Sequence, residues 1–80
     1  MDKELQKYYE TLLDLFAHEG WKLFVEDIQD NADFLNNILT IKDEQDFWYR
    51  RGQLEATGRL LSYESTIKDS YDDFLEEANA

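Results

Sequence analysis

The sequence predicts an all-α fold, a small helical bundle of three to four helices whose central element is a helix at about 44–62. Three observations carry that expectation. There is no proline, and only three glycines interrupt the chain. Apolar residues recur at three- and four-residue intervals, the period of an amphipathic helix, and no stretch alternates as a strand would. The stretch Phe47–Leu61, FWYRRGQLEATGRLL, is apolar on two sides at once. A surface helix carries one apolar stripe, so a helix apolar on two sides is covered on two sides, by its own chain or by a second one.

The first helix is expected from Asp2 to His18. Asp2 suits the N-cap, and Glu4 in the first turn complements the helix dipole. Leu5, Tyr8, Tyr9, Leu12, Leu13 and Phe16 form its stripe. Gly20 reads as the closing glycine just past the helix end, with helix two folding back on helix one. Helix two then runs from Trp21 to Leu39 or Thr40. Its stripe is Trp21, Phe24, Val25, Ile28, Ala32, Leu35, Ile38 and Leu39. Asp30–Asp33, rich in residues that favour caps, marks a bend or break. Leu23, Phe34 and Ile41 line up beside that stripe as an accessory patch, covered by the third helix or by a partner.

Helix three begins near Asp43 or Glu44 and ends near Ser62. Phe47, Leu54, Gly58 and Leu61 share one face; Tyr49, Ala56, Leu60 and Tyr63 share the opposite one, with Trp48 and Gly52 nearby. Each glycine costs about 1 kcal/mol against alanine inside a helix and admits a close backbone. A short break over Ser62–Thr66 leads to the last helix, capped by Ser65 or Thr66. Its stripe is Ile67, Tyr71, Phe74, Leu75 and Ala78. Helices three and four joined as one, with a protruding arm, is the alternative.

Eighty residues make a single helical domain, 1–80. A chain of this length buries about 60% of its unfolded surface, so a partner or a second copy adds stability. Aromatic residues at 15% argue for a real core. There is no cysteine, which excludes a disulfide scaffold and a thiolate metal site. No membrane span or signal peptide is visible, so the expected place is the cytoplasm. With 19 acidic against 8 basic residues, the net charge is −11. Binding a nucleic-acid backbone needs cations to displace counterions, so neither nucleic acid nor an anionic membrane is an expected partner. The segment from Lys42 to Arg59 is the exception. Its cations, Lys42, Arg50, Arg51 and Arg59, balance Asp43, Glu44, Asp46 and Glu55. Arginine among aromatics is the composition of a tight protein interface or a satisfied buried ion pair. Phe47, Trp48, Tyr49, Arg50, Arg51 and Gly52 are therefore the candidate partner-binding residues, at the interface or at a buried junction supporting it.

Nothing in the sequence supports catalysis, a cofactor or a metal. His18 is the only histidine, and a helix C-terminus accounts for it as a capping residue. The acids lack the spacing and glycine of a calcium loop. Glu55 and Arg59 are four apart in the order that suits a structural ion pair. No serine or threonine has a base arranged to activate it.

The segment Asp43–Ser65, followed by a helix containing Tyr71, resembles short acidic helical proteins of unassigned function from tailed bacteriophages. The shared pattern is an aromatic pair, a basic residue, Gly-Gln-Leu and a leucine pair. Here these are Phe47, Trp48, Arg51, Gly52, Gln53, Leu54, Leu60 and Leu61. The resemblance covers about half the chain and transfers no activity. It implies a phage product, a particle component or an agent acting on a host protein, in the host cytoplasm or in the virion. The expected function is a non-enzymatic protein–protein interaction module that self-associates or joins a larger assembly. The alternative is an acidic mimic of nucleic acid that inhibits a host enzyme through its basic cleft.

Overall fold

Asp2 starts the fold as expected. Its side chain accepts hydrogen bonds from the backbone N–H groups of Glu4 and Leu5, at 3.0 and 3.1 Å, and so satisfies donors that a helix start leaves orphaned. In the computed structural model, which describes residues 2–79, four α-helices follow and, among the described residues, no strand. They are α1 (Lys3–Ala17), α2 (Glu19–Leu35), α3 (Glu44–Leu61) and α4 (Tyr63–Asn79), with a 3-10 turn at Ile38–Thr40 between α2 and α3. The helix expected at about 44–62 is α3, and Asp43 caps it by accepting from the Asp46 N–H at 2.7 Å.

The four helices form a bent antiparallel hairpin. Tyr9 of α1 meets Tyr71 and Phe74 of α4. Phe16 and Trp21 both meet Tyr63 at the start of α4. Arg50 of α3 reaches Phe34 at the end of α2. α1 thus pairs with α4 and α2 with α3, and at the bend Trp21 of α2 meets Tyr63 and Glu64 of α4. At a rise of about 1.5 Å per residue, α1 and α2 laid end to end measure about 50 Å, and the long axis of the molecule is 53 Å.

Both arms are bent at the same level. Between α1 and α2 one residue, His18, leaves the helix (φ −72°, ψ 141°). Between α3 and α4 one residue, Ser62, relaxes (φ −90°, ψ −4°). Several expectations are corrected here. Gly20 closes nothing: it lies inside α2, and no described glycine has positive φ. α2 continues onward instead of folding back on α1, because a single extended residue bends a helix without reversing it. His18 does sit at the C-cap of α1, where its backbone N–H bonds the Leu15 carbonyl, and it also opens α2, where its side chain makes no capping bond. The Asp30–Asp33 segment stays helical, and α2 ends at Leu35, so Ile38 and Leu39 leave its stripe. The break expected over Ser62–Thr66 shrinks to Ser62, so neither Ser65 nor Thr66 is a cap. α4 lies along α1 and does not protrude. Glu55 and Arg59 form no ion pair; the two pairs among the described residues are Arg50–Asp46 and Lys68–Glu64.

The apolar core is thin. Phe16, Ala32, Leu35 and Ile67 are its buried apolar residues, and no described side chain is fully enclosed. At the bends Phe16 lies 5.1 Å from the Trp21 ring and 5.9 Å from that of Tyr63. Trp21 Nε1 donates to Glu64 Oε1 across the arms at 2.9 Å. The Lys68 ammonium and this indole hold the Glu64 carboxyl below its ordinary range. Two arms cover each other on one side only. Large apolar side chains therefore remain exposed on the rest, among them Leu23, Phe24, Trp48, Tyr49 and Leu60. No helix among the described residues is long and apolar enough to cross a membrane.

Candidate functional site

The residues singled out in Phe47–Gly52 lie where the hairpin turns. Asn36 and Asn37 end α2, because short polar side chains compete for the backbone and stop a helix. The Asn37 side chain accepts from the Leu39 N–H at 3.1 Å, and its carbonyl accepts from the Thr40 hydroxyl at 2.8 Å. That closes the 3-10 turn on itself.

Arg50 then clamps the turn to α3. It is 7% exposed. One Nη donates to the Thr40 hydroxyl oxygen and, at 3.5 Å, to the Phe34 carbonyl; the other donates to the Thr40 carbonyl at 2.9 Å. Nε faces Asp46 Oδ2 at 3.2 Å. The guanidinium also lies over the Phe34 ring, 5.2 Å from its centroid, a cation–π contact. Asp46 in turn accepts from the Lys42 N–H at 3.0 Å. That backbone bond is the main reason its carboxyl sits below the usual range; partial burial opposes it, and Arg50 adds to it. The fork of arginine suits this role, since an ammonium cannot meet divergent acceptors in one plane.

What the clamp holds rigid is apolar and outward-facing. Leu39 is 90% exposed and Ile38 76%. Beside them, between the end of α2, the turn and α3, lies a groove of about 320 Å³ walled by Leu35, Ile38, Ile41, Phe47 and Leu54, with Arg51 at its side. Arg51 rests over the Trp48 ring at 5.5 Å, and Trp48 packs edge-on to Phe47.

The structure divides the six candidates. Phe47, Arg50 and Arg51 line the groove, and Trp48, outside its lining, packs against Phe47 and under Arg51. Arg50 is internal, the buried junction behind the surface. Tyr49 and Gly52 face away, on the uncovered outer side of α3 with Ala56 and Leu60. A Cβ built on Gly52 or Gly58 would meet nothing within 4 Å, so neither glycine serves a close approach inside this chain. The accessory patch is likewise split: Ile41 walls the groove, Phe34 lies under Arg50, and Leu23 is left in solvent. Sequence reasoning missed Ile38, Leu39 and Thr40 as site residues by extending α2 through them; the Asn36–Asn37 pair was the signal of the break. Among the described residues, no group of three or more His, Cys, Asp or Glu side chains gathers as a metal site.

Comparison of the chain with protein-family models, with curated proteins and with solved structures finds no match.

Proposed function

We propose that this chain is a non-enzymatic protein–protein association module that binds copies of itself. The observation that carries the reading is surface left uncovered. A compact monomer of 9.6 kDa exposes about 5,100 Å²; this chain exposes 6430 Å². Its radius of gyration is 17.1 Å, against about 12 Å for a compact domain of this length. The excess is of the order that each partner buries in a standard interface, about 800 Å², and large side chains such as Leu39, Tyr49 and Trp48 are among those exposed. Such surface is a signature of a protein contact rather than of solvent.

Light scattering on the purified chain tests this. The expected result is a defined oligomer that persists at high salt, because apolar burial is not screened. A clean monomer at all salt concentrations sinks the reading.

Mimicry of nucleic acid is the second reading, favoured by the rod shape and by acids along both arms. The charge density ranks it lower. Eleven net charges over 53 Å give about one per 5 Å, against one per about 1.7 Å in duplex DNA. Its mark would be binding to a nucleic-acid enzyme that fades as salt rises. Origin in a phage, as a particle component or a host-directed protein, rests on the resemblance in Asp43–Ser65.

A further inference from the structure

We infer that two copies join tip to tip about a two-fold axis, with Leu39 of each copy seated in the apolar groove of the other. This rests on the self-association proposed above and names its surface. The first ground is rigidity. An exposed leucine on a loose loop loses freedom when it binds, whereas one held by a capped turn has already lost it. Asn37 and Arg50 hold the turn under Leu39 by side-chain hydrogen bonds on either side of it. The second ground is adjacency. Projection and groove lie side by side on one end of the molecule, the arrangement a two-fold operation makes self-complementary.

The third ground is charge, which selects a second copy as the occupant. Two molecules of net charge −11 repel unless they meet where charge cancels. From Asn36 to Leu54, Lys42, Arg50 and Arg51 balance Asp43, Glu44 and Asp46, so all the net negative charge lies on the rest of the arms. The groove at the opposite end, between α1 and α4, includes Asp73 and Glu77 in its lining and suits no copy of this chain. The outer face of α3 offers Tyr49 and Leu60, both exposed, but lies away from the clamped turn and its groove.

The test uses the intact chain at high salt, with light scattering on the wild type and on Leu39→Asp. Position 39 is 90% exposed and lies outside the α-helices, so the variant keeps the wild-type circular dichroism. Association is expected to weaken at least about ten-fold, a loss consistent with removing one central apolar anchor. Since the chain has no cysteine, Leu39→Cys also carries a single benzophenone label, expected to cross-link to residues 47–54 of the other copy. A Leu39→Asp variant that associates like the wild type, or cross-links confined to the outer face of α3, overturns the tip-to-tip geometry and leaves self-association standing. A monomeric wild type overturns both.

Discussion

Phe16→Ala is expected to destabilise the chain by about 3–4 kcal/mol, the range for emptying a buried phenylalanine site. Phe16 is the most buried large side chain here, at 4% exposure. It sits where both arms are bent and where His18 and Ser62 interrupt the helices, so the packing of Phe16, Trp21 and Tyr63 does what continuous helix does elsewhere. The cavity cannot easily collapse, because the neighbours are rings held on two separate arms. In a domain of this size a loss of 3 kcal/mol lowers the melting temperature by more than about 10 °C. Urea unfolding followed by circular dichroism checks this, at one fixed protein concentration because association adds to apparent stability. Phe16→Leu, which keeps most of the volume, is expected to lose clearly less. A loss below about 1 kcal/mol for the alanine variant would mean that the bends are held by something other than this cluster.

Arg50→Ala comes next, with an expected loss of about 2–3 kcal/mol. Hydrogen bonds to a charged group contribute about 1.5–3 kcal/mol, and a cation–π contact about 0.5–1. These contributions overlap because the contacts share one guanidinium. The Thr40 carbonyl and hydroxyl lose their α3 partner in the variant, and the turn below Leu39 is released. Arg50→Lys should recover little, since its point charge cannot reach Thr40 and Asp46 together over the Phe34 ring. The readout that separates this residue from Phe16 is association. Arg50→Ala should weaken self-association even under conditions where circular dichroism shows the helices intact. Unchanged mass together with unchanged stability would remove Arg50 from its assigned role.

Two helix starts were legible from the acids before them, whereas Ser65 and Thr66, read as caps of the last helix, lie inside α4. Asp2 and Asp43 sit one residue before α1 and α3, and both starts follow from the physics of orphaned N–H groups. The bends were not legible, because neither histidine nor serine announces a one-residue interruption and Gly20 offered a more familiar stop two residues late. That single displacement turned an elongated arm into an expected fold-back. The two-faced pattern of α3 was legible as a pattern; which face the chain would cover depended on where α2 ended. The same dependence decided between Arg50 and Arg51. They are neighbours about 100° apart on the helix, and only the position of the turn determines that Arg50 points inward while Arg51 lies over Trp48.

The hairpin path has a consequence for the order in which the chain assembles. Its long-range contacts are nested about one turn. Arg50 and Thr40 are ten residues apart, and Trp21 and Glu64 are 43 apart. Closing a loop costs entropy that grows only with the logarithm of its length. Once the tip has formed, each outer contact closes only the short lengths of chain still unpaired. The molecule should therefore zip from the turn towards its ends, with α1 and α4 the last to pair and the first to open.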